Sequence, residues 1–115
     1  MDKEYCMITA IVKKGFYEAA MSAARSAGAR GGTVLNARGT GTAETTHFLG
    51  VAIEPEKEIL LILTETSQRD EIMKAINRAV GLNTPGNGIA IALPVEDVAG
   101  LTAVLPPEEE GEEKQ

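Results

Sequence analysis

Apolar residues fall along this chain in two patterns, short near-continuous runs and a spacing near three and a half. Residues 5–12 are apolar and partly β-branched, which predicts a strand, and Lys13, Lys14 and Gly15 break it. Over 16–29 the pattern changes to a helical one. Phe16, Ala20, Ala23, Ala24 and Ala27 fall on one helical face, with Glu18, Ser22 and Arg25 on the other. Alanine favours the helix and lets it lie close to what it covers. Gly28, Gly31 and Gly32 stop it, and a second strand is predicted over 33–37. Residues 38–54, rich in Gly and Thr, hold no sustained period and read as a surface excursion with a short strand at 48–53. ILLIL at 59–63 is the strongest strand signal, inside a strand over 58–64. Ser67, with Asp70 three residues on, reads as a helix cap. The helix that follows runs to about residue 80, with Ile72, Ile76, Ala79 and Val80 as its stripe and Gly81 as its stop. IAIAL at 89–93 is a fourth strand, and 95–101 a turn or short final strand.

The order β-α-β, excursion, β-α-β predicts an α+β protein, a ferredoxin-like βαββαβ sandwich with both helices on one face of an antiparallel sheet. The sheet's second face poses a problem. A solvated face should carry polar residues at alternate positions, yet ILLIL, IAIAL and most of CMITAIV are apolar on both sides. Two helices cover one face only, so the other is expected to pack against further copies of the chain.

Composition narrows the class. With 115 residues the chain fits one domain, here residues 1–105, and 43% hydrophobic residues make it a folding sequence. The net charge is -6, but PPEEEGEEKQ at 106–115, with five Glu and one Lys, carries -4 of it and is expected to be a disordered acidic tail. An acidic chain is a poor ligand for a phosphate backbone, so nucleic acid is not an expected partner. One cysteine, Cys6, precludes an intrachain disulfide, and neither an apolar leader nor an 18-residue apolar run is present. A cytoplasmic protein is the expectation.

Catalytic groups are sparse. His47 is the sole histidine, Cys6 sits in a strand where an inert thiol is expected, and Glu44, Glu54, Glu58 and Glu65 form no distinctive pair. Neither an enzyme nor a metal site is expected. Glycine is more informative: it clusters at 28–32, 39–41 and 81–88, where backbone N–H groups open to a close-approaching ligand. No Rossmann or Walker pattern is present.

GGTVLNARGTG at 31–41, FLG at 48–50, PEKEILLIL at 55–63 and TPGNGIAIALPVEDVAG at 84–100 resemble the nitrogen-regulatory PII signal-transduction proteins and their PII-like relatives, over about residues 5–101. The resemblance implies a homotrimer of ferredoxin-like subunits, an adenine nucleotide (ATP, ADP or AMP) in the clefts between subunits, and a T-loop at about 38–54 that presses on a target enzyme or membrane transporter. It assigns ligand contacts to Gly31, Thr33, Arg38, Gly39, Gly41, Gly86, Asn87 and Gly88. Several family features are absent. Ile89 occupies the position of a phosphate-binding lysine, the arginines expected after the fourth strand are missing, and 38–54 contains no Gln for magnesium and 2-oxoglutarate and no Tyr for uridylylation. The expectation is a small-molecule-responsive regulator with weakened polyphosphate affinity, to which Arg38, Lys13 or Lys14 can lend charge. The alternatives are a trimeric interaction module that has lost nucleotide sensing, and a metal-tolerance protein of the similar CutA-like fold.

Overall fold

The computed structural model describes residues 3–39, 46–53 and 55–101. Strand β1 (Tyr5–Lys13) leads to helix α1 (Tyr17–Ser26) and strand β2 (Thr33–Arg38). Two short strands, β3 (Thr46–Phe48) and β4 (Val51–Ile53), precede β5 (Glu56–Glu65). A 3-10 turn at Thr66–Gln68 then opens α2 (Arg69–Val80), and β6 (Gly88–Val95) closes the order. The four long strands form one antiparallel sheet in the order β2-β5-β1-β6. This is the ferredoxin-like arrangement the pattern predicts.

Both helices lie on one face. Against them β1 turns Cys6, Ile8, Ala10 and Val12, and β5 turns Leu60 and Ile62, all buried. The helices answer with Ala20, Met21 and Ala24 from α1 and Ile72, Ile76 and Val80 from α2. Alanines on α1 allow this close approach. The expected stripes hold with two changes: Met21 joins the first, and exposed Ala79 leaves the second, where Met73 packs instead.

The opposite face is built in cross-strand rows. Leu35, Ile59, Ile11 and Ile89 are register partners in one row, Thr33, Leu61, Thr9 and Ile91 in the next, and Leu63, Met7 and Leu93 in a third. Leu35, Ile89, Ile91 and Leu93 are exposed on it. The two-sided apolar strands read from the sequence thus leave a largely apolar face that none of the described elements covers.

Three local expectations are corrected. Ser67 does not cap α2: the chain enters through the 3-10 turn, Gln68 takes the N-cap position with an α-type backbone, and no side-chain cap bond forms. The strand expected at 48–53 is instead a hairpin, because Leu49 and Gly50 turn the chain with positive φ between Phe48 and Val51. Residues 96–101 form neither helix nor strand. The acidic segment 106–115 lies outside the described residues. No described helix is long and apolar enough to cross a membrane.

Candidate functional site

The glycine-rich connections expected to face a ligand are distributed over two edges of the sheet. Gly31 and Thr33 stand at the start of β2, with Arg38 and Gly39 at its end. Gly86, Asn87 and Gly88 form the turn into β6 on the opposite edge. Asn36 pairs with Glu58, Glu58 with Val12 and Val12 with Gly88, so the end of β2 and the start of β6 share one end of the sheet. Two strands stand between them, which separates the edges by about 14 Å at ordinary strand spacing. Thr33 belongs to the row of Leu61, Thr9 and Ile91, further from that end. A single subunit therefore aligns Arg38 and Gly39 with 86–88 without joining them. Gly41 lies outside the described residues.

The turn into β6 is held by Asn87. Its Nδ2 donates to the carbonyls of Val80 at 2.9 Å and Gly81 at 3.3 Å, the C-terminus of α2. Its backbone N–H donates to Thr84 at 3.1 Å, and its carbonyl accepts from the Lys13 N–H at 3.1 Å. The Asn87 amide donors are therefore committed to satisfying helix-end carbonyls. A ligand at this turn meets backbone groups first.

The glycines separate into two kinds. At Gly88 φ is +144°, and an added Cβ would stand 2.3 Å from the Ile11 carbonyl oxygen, so the residue is required by the backbone crossing onto β1. Gly31 and Gly39 differ. Neither has positive φ, and a Cβ at either would meet nothing within 4 Å. Among the described glycines these two alone are required by neither conformation nor internal packing, and they bracket β2.

Charge at this end of the sheet is partly compensated. Lys14 Nζ pairs with Glu56 Oε1 at 2.7 Å, and this contact raises the lysine pKa and lowers that of Glu56. Arg38 is the register partner of Glu56 and lowers its pKa further. Lys13 lies 5.8 Å from the Phe16 ring centroid, a cation–π distance. Ile89 stands in the apolar row beside Ile11 and offers no charge. Sequence reasoning missed Lys74. On α2 it lines an open recess of about 360 Å³ with Met73, Asn77, Leu82, Gly88 and Ile89. Only the three-residue spacing of Lys74 and Asn77 on one helix signals it beforehand.

Cys6 is buried, and desolvation pushes its thiol pKa up, away from reactive thiolate character. Among the described residues no group of three or more His, Cys, Asp or Glu is placed to hold a metal.

The family profile for nitrogen regulatory protein P-II matches residues 5–103, almost all of the described fold. The chain belongs to that family. Its PII membership makes it a signal-transduction protein and accounts for the order of elements around the long β2–β5 connection. Among solved structures, a PII protein of Arabidopsis thaliana, crystallised with citrate bound, aligns with a TM-score of 0.65 at 24% identity, over 82% of this chain and 79% of its own. GlnK of B. subtilis aligns with a TM-score of 0.65 at 16% identity, over 81% and 86%. At these identities the likeness is one of fold. Among curated proteins, none matches this PII chain in sequence.

Proposed function

We propose that this PII-family chain is a homotrimeric, small-molecule-responsive regulator, and not an enzyme, that binds an adenine nucleotide between subunits and signals through the 38–54 loop to a partner enzyme or transporter. The observation that carries the reading is the pair Gly31 and Gly39. Both face open space with no conformational need for glycine, as expected where a ligand or neighbouring chain approaches the backbone closely. The uncovered apolar face supplies the drive to associate. Edge-to-edge contact of β2 in one subunit with β6 in the next would unite the two halves of the site, which one subunit holds apart.

The donor set fits a nucleoside monophosphate better than a triphosphate. Backbone N–H groups at 31, 86 and 88, the Thr33 hydroxyl and Arg38 are offered to base, ribose and one phosphate, whereas the Gly39 N–H donates to the Pro55 carbonyl at 3.2 Å. The lysine position of the phosphate loop is Ile89, and the Asn87 amide serves α2. Each missing charged hydrogen bond is worth roughly 1.5–3 kcal/mol, which penalises ATP more than AMP. Ligand seated against 38–39 would favour one arrangement of the adjoining loop, and the target would read that population.

Isothermal titration calorimetry with AMP, ADP and ATP, each with and without magnesium, tests this. Citrate serves as a further arm, since the Arabidopsis relative carries it. Saturable binding of one nucleotide per subunit is expected, with ATP no tighter than AMP. Gly31→Val or Gly39→Val should weaken it at least tenfold without lowering the melting temperature. No heat with any nucleotide would overturn the ligand reading. It would favour the second reading, a trimeric interaction module that has lost nucleotide sensing, to which Ile89 already points.

A further inference from the structure

The turn between β3 and β4 is a two-residue loop closed by the Phe48–Val51 pair. Its residues, Leu49 with φ 54° and Gly50 with φ 82°, both have positive φ. That is the pattern of a type I′ hairpin turn, whose first position is ordinarily Asn, Asp or Gly because those residues reach the left-handed region at little cost. Leucine gains nothing there, and Leu49 is the sole non-glycine with positive φ among the described residues. It is also 87% exposed, whereas the other exposed large hydrophobics of the described chain range from 37% to 54%. Its side chain supports neither turn nor core. The surrounding sequence adds a second observation: residues 46–53, THFLGVAI, contain no Asp, Glu, Lys or Arg in a chain that is 24% charged.

A strained, exposed apolar residue at the tip of an uncharged hairpin is a docking element. We propose that Leu49 is the anchor that inserts into an apolar recess on the partner protein, with recognition at this tip by shape and burial and not by charge. The proposal rests on the loop reading above and specifies the partner's surface. A lipid bilayer fits less well: burying one leucine is worth on the order of ten- to a hundredfold in affinity, too little for stable anchoring, and the hairpin has no Lys or Arg to assist a chain of net charge -6. In a protein recess the same residue is a central hot spot surrounded by further contacts.

The test is a photo-reactive leucine analogue at position 49 of the full chain, followed by purification of the captured protein and titration against wild type, Leu49→Asn, Leu49→Gly and Leu49→Met. Wild type and L49M should bind within about threefold of each other, and L49N and L49G ten- to a hundredfold more weakly. The melting temperature of L49N should equal or exceed wild type, since Asn suits the turn, so lost affinity is not lost folding. Absence of any captured protein, or L49N binding within twofold of wild type, overturns the proposal. So does Leu49-dependent sedimentation with phosphatidylcholine–phosphatidylglycerol vesicles, or an L49N-induced change in oligomeric mass, which would make the tip a lipid or self contact. Replacing residues 40–53 by a Gly-Ser linker of equal length separates the two levels. Binding that survives L49N but not the linker sinks the leucine assignment alone, whereas binding that survives both sinks the loop reading as well.

Discussion

Glu58, near the start of the central strand β5, holds the start of α1: its Oε1 accepts the Tyr17 backbone N–H at 3.1 Å, and the Gly15 N–H at 3.0 Å. Glu58 is 9% exposed and sits on the helix-covered face of β5. Phe16, at the N-cap of α1, provides no side-chain cap, so a carboxylate more than forty residues away satisfies one of the helix's orphan donors and faces its positive end. Glu58→Ala should destabilise the chain by about 1–3 kcal/mol in chemical denaturation, and Glu58→Gln, which keeps an acceptor but not the charge, by less.

The two kinds of glycine should respond differently to the same substitution. Gly88→Ala forces a Cβ onto the β1 backbone at a φ that alanine avoids, and should cost about 2–4 kcal/mol of stability. Gly39→Ala extends into open space and should change stability by no more than about 0.5 kcal/mol. Comparable melting temperatures for the two variants would contradict the division between structural and ligand-facing glycines.

If the uncovered face carries the proposed trimer contact, a single charge placed on it should disrupt association. Ile91 lies in the row with Thr9 and Leu61. Ile91→Asp should therefore shift the light-scattering mass from about three times 12.1 kDa to that of one chain, with helical circular dichroism retained. A variant that keeps the full oligomeric mass would place the subunit interface elsewhere.

The Lys14–Glu56 pair sets a local pH response. The lysine's hydrogen bond and charge hold the Glu56 pKa below its ordinary value, so its folded value lies under its unfolded one. The contribution is thus present above the unfolded carboxylate pKa and fades as pH falls through the folded value, in the acid range below neutrality. Lys14 is shifted the other way, so its share is present below the unfolded lysine pKa and is lost only as pH rises through the folded value, in strong alkali. In a carbon-13 NMR titration of the side-chain carboxyls, Lys14→Gln should move the Glu56 midpoint upward. Being fully at the surface, the pair should leave the melting temperature at neutral pH almost unchanged.

Periodicity determined most of the architecture. Short apolar, partly β-branched runs in 5–12, 58–64 and 89–93 marked the strands, the alanine and isoleucine stripes marked two helices, and apolar residues on both sides of ILLIL and IAIAL revealed a face that two helices cannot cover. These are local, repeating signals, so a single sequence carries them. What the tertiary structure alone decided are contacts between residues distant in the chain or at one-off geometries. Glu58 carried no mark of capping α1, because the Gly15 and Tyr17 donors belong to another element. Asn87 stood in a ligand-like motif, and only the fold showed its amide turned onto the end of α2. Gly88 and Gly39 are the same letter, distinguished by whether the neighbouring strand's backbone occupies the space a Cβ would need. Residues 48–53 read as one strand because apolar side chains favour extension, but Leu49 and Gly50 take positive φ and split the run into a hairpin. Strand and helix follow from patterns that each segment carries by itself, whereas caps, crossings and turns depend on which distant backbone lies within hydrogen-bonding or van der Waals reach.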